Sequence, residues 1–132
     1  MSHPCKVTLF DKETQTAYTR TLMIDLHELS ESCLKLFNRE TGTETLISHG
    51  TWEKLELGNL EEAKQKASLH YKVTIDGDEP MPATKVSIHD KTGSLTIILS
   101  SLTTSGSTQI QENHYILLLA KGKFDFVKIV KR

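Results

Sequence analysis

The sequence has few cysteines, few prolines and no long apolar segment, and each shortage excludes a class of protein. Cys5 and Cys33 are its only two cysteines, and one pair in a chain of 132 residues gives no disulfide framework, so we predict free thiols. The longest apolar run, Ile116 to Ala120, is far shorter than the roughly 20 residues of a membrane-spanning helix. No proline-rich linker divides the chain, and we therefore predict a single domain over residues 1–132.

An excess of charge of either sign is also lacking. Sixteen Lys and Arg stand against seventeen Asp and Glu, which gives a formal net charge of -1. No overall field attracts this chain to nucleic acid or to an anionic membrane, so neither is a predicted partner. Residues 1–6 contain no basic start followed by an apolar stretch, which predicts a cytoplasmic protein unless a leader has been removed.

Motifs for phosphate binding, zinc binding and nucleophilic catalysis are absent. The seven glycines are scattered singly, whereas a phosphate-binding loop needs them at fixed spacing. A structural zinc ion takes four ligands, commonly in close pairs, and the two cysteines stand alone. Ser105-Gly106-Ser107 is not a nucleophile elbow, and Cys33 suits a small core side chain better than a reactive thiol. We predict no catalytic residue, no metal and no cofactor.

His70 and His89 are the most visible candidates for metal ligands among six histidines. Each falls on a predicted strand, and adjacent strands would bring the two imidazoles near each other. Alternation of polar and apolar residues instead places both on the polar faces of their strands, where they meet water. We favour this second interpretation.

Alternating apolar and polar residues predict most of the chain as β-strand. The predicted strands are 5–10, 17–24, 51–57, 67–76, 84–89, 94–99, 109–120 and 124–130. Turn-forming residues predict hairpins from the first two strands, from 84–89 with 94–99, and from 109–120 with 124–130. Residues 94–99 are mostly apolar and β-branched, which is typical of a strand buried on both faces.

Two segments favour helix. Asp25 to Asn38 has apolar residues near helical spacing, and Asp25 with Glu28 resembles a capping box. Residues 59–66 form a shorter candidate in which Asn59 caps a run of good helix formers. With seven or eight short strands, the sequence predicts a mainly β fold, a small antiparallel β-barrel or sandwich with one or two short helices.

Residues 28–36, followed by 46–57, resemble the central part of PilZ-type domains. In that family a strand ends in an Asp/Asn-x-Ser-x-x-Gly turn: Ser30 matches the serine, while Glu28 and Cys33 replace the acidic or amide residue and the glycine. The family's Arg-x-x-x-Arg pair has no counterpart, since Arg20 is the only arginine before the motif. The resemblance implies a small β-barrel that binds cyclic di-GMP or acts through protein contacts, with Arg20 and Ser30 as ligand-binding residues.

The resemblance also implies a strand at 34–36, which is incompatible with the helix at 25–38. Apolar spacing and the capping residues favour the helix.

Trp52, the only tryptophan, is a candidate partner-binding residue, with core packing as the favoured alternative. We predict a non-catalytic adaptor domain that contacts another protein through an exposed sheet edge or the Trp52 region. A small-ligand-binding β-barrel, with a nucleotide as one candidate ligand, is the alternative, and an enzyme is the least favoured function. The sequence leaves monomer and homodimer undecided.

Overall fold

The computed structural model describes residues 2–100 and 115–132 of the chain. This part contains one helix, α1, at Leu60–Lys66. Its strands are β1 (His3–Asp11), β2 (Thr16–Ile24), β3 (Leu26–Leu29), β4 (Cys33–Asn38), β5 (Thr43–Ser48), β6 (Trp52–Leu57), β7 (Tyr71–Ile75), β8 (Met81–Ala83), β9 (Lys85–Ile88), β10 (Leu95–Leu99), β11 (Tyr115–Leu119) and β12 (Val127–Lys131). Within the described ranges, no helix has the length and apolar character needed to cross a bilayer.

The strands form three antiparallel sheets. The largest has the order β2-β1-β6-β11-β10-β9, and the two smaller ones have the orders β3-β4-β5 and β12-β7-β8. The prediction of a mainly β fold is confirmed. The sheets do not close on themselves, so a sandwich describes the arrangement.

Two hydrophobic cores lie on opposite faces of the six-stranded sheet. The first fills the space between this sheet and β3-β4-β5, and its largest fully buried side chains are Trp52, Leu34, Leu36, Leu55 and Leu118. The second lies between the same sheet, α1 and β12-β7-β8; its fully buried members are Ala63, Val73, Ala83, Leu95, Ile97 and Leu99.

Strand β11 contributes to both cores because successive side chains of a strand point to opposite faces. Ile116 and Leu118 belong to the first core, whereas Tyr115 and Leu117 belong to the second. This explains the longest apolar run of the sequence, since a strand covered on both faces has no side exposed to water. β10 is covered in the same way, which confirms the prediction of a strand buried on both faces there.

The predicted helix at 25–38 is wrong, because this segment forms β3, a turn and β4. Leu34 and Leu36 are buried and alternate with less buried neighbours, which is the period of a strand. Ser30 closes the turn: its backbone N–H and its hydroxyl donate to the carbonyl of Cys33, and its Oγ accepts the Cys33 N–H. Burial against a distant sheet has overridden a local pattern that also fits a helix.

The predicted closing hairpin of 109–120 with 124–130 is also wrong. β11 pairs with β6 and β10, so both of its edges are occupied, while β12 pairs with β7. The other two predicted hairpins, β1 with β2 and β9 with β10, are confirmed. The shorter predicted helix is confirmed as α1, in which the Asn59 side chain accepts the Glu62 N–H. The first part of the predicted strand 109–120 and the loop at 105–107 lie outside the described residues.

Candidate functional site

Strand β2 forms one end of the six-stranded sheet, and β1 is its only partner among the described strands. Its nine residues, Thr-Ala-Tyr-Thr-Arg-Thr-Leu-Met-Ile, are rich in β-branched and aromatic side chains, which favour an extended backbone. They include no proline and no lysine, the residues that natural proteins commonly place on sheet edges to prevent pairing. In the part of the chain that the structure describes, β2 therefore presents a long free edge of backbone donors and acceptors.

The even-numbered side chains of β2 lie on the face that carries the first core. Arg20 is opposite Val7 and Leu22 is opposite Cys5, and both of these β1 residues are fully buried. Tyr18 is opposite Leu9, which packs against the same core. Tyr18, Arg20 and Leu22 thus follow one another along the same side of the free edge.

A shallow cavity of about 550 Å³ opens beside the first half of this edge. Tyr18 lines it from β2 and Leu46 lines it from β5, with exposed fractions of 42% and 60%. Phe10 and Lys12 complete the apolar and cationic parts of its wall. Exposed large apolar side chains at such a cavity are typical of a surface that binds a partner or a ligand.

A smaller cavity of about 170 Å³ lies beside the second half of β2, where Leu22 faces Thr43 and Thr45 of β5. This end is closed, since the Asn38 side-chain N–H donates to the carbonyl of Met23 over 3.1 Å. Counting described residues only, the outer edge of β2 is therefore free from Thr16 to Leu22. We call the two cavities, the free edge of β2 and the facing side of β5 the β2–β5 groove.

Arg20, a ligand-binding residue in the sequence prediction, lies between the two cavities on the groove face of β2. Its side chain is exposed, and its guanidinium carbon lies 5.5 Å from the centre of the Tyr18 ring. This cation–π contact holds the guanidinium beside the larger cavity. Within residues 2–100 and 115–132, Arg20 forms no ion pair.

The other two predicted site residues, Ser30 and Trp52, lie away from the groove and are linked by hydrogen bonds through His49. The Trp52 indole N–H donates to His49 Nδ1 over 3.2 Å, and His49 Nε2 lies 2.7 Å from the Ser30 carbonyl oxygen. Because the indole can only donate, Nδ1 accepts, and Nε2 carries the proton given to Ser30. These two hydrogen bonds fix the turn after β3 to the first core. Among the described residues, Arg20 makes no contact with Ser30, His49 or Trp52.

Trp52 itself is 1% exposed, so its ring packs in the core, as in the favoured alternative of the sequence analysis. The Ser30 hydroxyl is engaged with Cys33 in the turn. Of the three predicted site residues, Arg20 alone lies on the groove.

His70 and His89 do not lie on adjacent strands of one sheet. His70 precedes β7 and His89 follows β9, and these strands belong to different sheets. His70 is exposed, whereas His89 Nε2 lies 3.2 Å from Thr96 Oγ1. His27 of β3, which the sequence analysis did not consider, is buried near His89; burial and this second imidazole lower its pKa to about 4. In the part of the chain that the structure describes, no three His, Cys, Asp or Glu side chains are grouped as metal ligands.

Two other buried groups have pKa values that make them poor reagents. Burial raises the pKa of the Cys5 thiol to about 12, so the nucleophilic thiolate is disfavoured, and both cysteines are free as predicted. Tyr115 donates its phenolic hydrogen to Glu56 over 2.5 Å, and burial, with this bond, raises its pKa. We assign both to the structure of the core.

Sequence reasoning missed Tyr18, Leu46 and the rest of the groove. Tyr18 was correctly placed on a predicted strand, but β5 was not predicted, so nothing indicated what the tyrosine faces. The available signal was the run Thr43 to Ser48, with β-branched residues after the Gly42 turn.

Comparison of the chain with protein-family models, with curated proteins and with solved structures finds no match. The resemblance to PilZ-type domains stays a prediction.

Proposed function

We propose that this chain is a non-catalytic binding domain that takes up an extended segment of another protein by strand addition along β2. The observation that carries the proposal is the combination of a free edge with two cavities along one of its sides. A segment paired with β2 satisfies the exposed backbone groups from Thr16 to Leu22. Its alternate side chains then enter the β2–β5 groove, because a strand directs every second residue to the same face.

The other free strands are less suited to this role. β9 has four residues, β12 carries Lys128 and Lys131, and β8 contains Pro82. Lysine and proline on an edge oppose pairing with another strand. β3 and β5 are shorter than β2, with four and six residues against nine. Length, composition and adjoining cavities all favour β2.

Replacement of Tyr18 by alanine tests the proposal. A peptide selected from a displayed library of random nine-residue sequences is measured against both proteins by fluorescence anisotropy. We expect Tyr18→Ala to weaken binding at least tenfold. Removing an aromatic side chain from the centre of an interface commonly costs about 2 kcal/mol of binding free energy. The fold should be unaffected, since the ring is partly exposed.

Phe126→Ala is the matched control, because this ring is 57% exposed and lies beside Gly77, outside the groove. Its affinity for the peptide should equal that of the unchanged protein. Hydrogen exchange locates the binding site: bound peptide should protect backbone amides between Thr16 and Leu22 from exchange. Equal affinity of Tyr18→Ala, or protection confined to another edge, would contradict the proposal.

A small planar anion is a second candidate occupant of the larger cavity. Tyr18 and Phe10 offer aromatic surface there, and Lys12 and Arg20 offer positive charge nearby. Such a combination suits a nucleotide, whose base stacks and whose phosphate pairs with cations.

A thermal-shift series with cyclic di-GMP and with mononucleotides tests this second candidate. A ligand at a hundred times its Kd stabilises the folded state by about 2.7 kcal/mol, which raises the Tm by roughly 10 °C in a domain of this size. Arg20→Ala should abolish the rise. An unchanged Tm across the series, with peptide binding intact, would exclude a nucleotide as the occupant of the cavity and leave strand addition as the proposed function.

A further inference from the structure

Arg20 gives the β2–β5 groove a positive charge that takes part in no ion pair within the described ranges 2–100 and 115–132. Lys12 lines the larger cavity, and so does Tyr18, whose ring the Arg20 guanidinium contacts. Asp11 also lines that cavity and offsets the charge of Lys12 there, while its Oδ1 accepts the Glu13 N–H over 2.9 Å within the β1–β2 turn. The β5 wall contributes Thr43, Thr45, Leu46, Ile47 and Ser48, none of which is charged.

A strand added to β2 covers part of Arg20 and removes water from its guanidinium. A cation that loses water without gaining an anionic partner opposes binding, whereas a carboxylate accepts two parallel hydrogen bonds from the guanidinium. The partner residue that reaches Arg20 is therefore selected for negative charge. Its neighbours two positions away on either side meet the cavities at Tyr18 and Leu22.

We infer that the partner of the β2–β5 groove is an acidic-centred apolar strand, with Asp or Glu at Arg20 and apolar residues two positions before and after it. This inference rests on the proposed strand addition and names its specificity. Arg20 is the specificity-determining residue. The larger cavity, which is about 550 Å³, accepts the bulkier of the two apolar side chains, and the cavity of about 170 Å³ accepts the smaller one.

Three nine-residue peptides test the inference, each with threonine at the outward positions and leucine two residues on either side of the centre. They differ only at the central residue, which is Glu, Gln or Lys. The unchanged protein should bind them in the order Glu, Gln, Lys, with at least a tenfold difference in Kd between Glu and Lys. Raising the salt concentration should narrow this difference, because exposed charge pairs are screened.

Arg20→Glu should reverse the order, so that the Lys peptide binds at least tenfold more tightly than the Glu peptide. Lys6→Glu is the matched control: Lys6 is an exposed cation of the same sheet, on the face opposite the groove. The Lys6→Glu protein should bind the three peptides in the same order of affinity as the unchanged protein. Arg20→Lys should keep the order with a smaller difference, because an ammonium lacks the fork of the guanidinium.

The outcomes separate the inference from the proposed function. Binding that depends on Tyr18 but not on the central residue would overturn the acidic-centred specificity and leave strand addition in place. A reversal in both Arg20→Glu and Lys6→Glu would show a general charge effect and would also overturn the specificity. No binding of any of the three peptides, together with no selected peptide from the random library, would overturn both.

Discussion

Replacing Trp52 by alanine is expected to lower the free energy of unfolding by about 3–5 kcal/mol, the range for removal of a large aromatic side chain from a core. The indole is 1% exposed and belongs to the first core, where Leu9 lies opposite it on β1. The substitution leaves a cavity that the surrounding strands fill only in part. It also removes the donor to His49 Nδ1, which loosens the link to the Ser30 carbonyl.

Urea unfolding followed by circular dichroism measures this effect, since the variant has no tryptophan left for fluorescence. His49→Ala separates the two contributions, because it removes the hydrogen bonds and keeps the indole; we expect a loss of about 1–2 kcal/mol. Tyr18→Ala should change stability by less than about 1 kcal/mol. A Trp52→Ala protein as stable as the unchanged one would show that the indole is not a core side chain in solution.

Acid is expected to destabilise the fold between pH 6.5 and pH 4 through His27. Its imidazole is buried beside His89, and its pKa is lowered from 6.5 to about 4. The unfolded chain therefore binds a proton in this window that the folded chain does not, and stability falls as the pH falls. The stabilisation that comes from keeping His27 neutral is fully present above pH 6.5. Its full loss lowers the free energy of unfolding by about 3 kcal/mol.

Unfolding free energies of the unchanged protein and of His27→Leu, measured at pH 7.5 and pH 4, check this expectation. Leucine has no proton to bind, so the variant should lose about 3 kcal/mol less than the unchanged protein over the same interval. His70→Gln is the control: His70 is exposed, and its variant should keep the full acid-induced loss. Equal losses in the unchanged protein and in His27→Leu would assign the effect to other groups.

Most strands were predictable because their signal is local. In β1, β7 and β9, apolar and polar residues alternate, and that pattern requires only that one face is buried. Helix α1 was predictable for the same reason, since the Asn59 cap and the following helix formers are contiguous. The mostly apolar and β-branched β10 indicated burial on both faces, which the two cores confirm.

The segment 25–38 shows where local signals are ambiguous. Its apolar residues fit a helix by spacing, yet Leu34 and Leu36 become buried only when β4 lies between β3 and β5 and faces the six-stranded sheet. The choice between helix and strand was made by contacts with residues distant in the chain. The sequence pattern of 33–38 alternates as well, but six residues are too few to outweigh a plausible cap.

The sequence pointed to individual candidate site residues but did not predict which of them lie together in one site. Arg20, Ser30 and Trp52 were single features without neighbours. The structure places Arg20 at a groove, engages Ser30 in a turn and buries Trp52 in a core. The groove depends on β2 ending one sheet and β5 ending another, and no spacing in the sequence encodes that proximity.

By itself, the sequence determined the mainly β class, most of the strands, the capped helix and the lack of known catalytic motifs, because each depends on residues within one short segment. Only the tertiary structure decided that β11 pairs with β6 and β10, that β12 pairs with β7 and that one edge of β2 has no partner among the described strands. Strand pairing is selected by the apolar area that distant segments bury together, and the backbone hydrogen bonds of one pairing resemble those of another. The free edge and its groove are what this selection leaves unpaired.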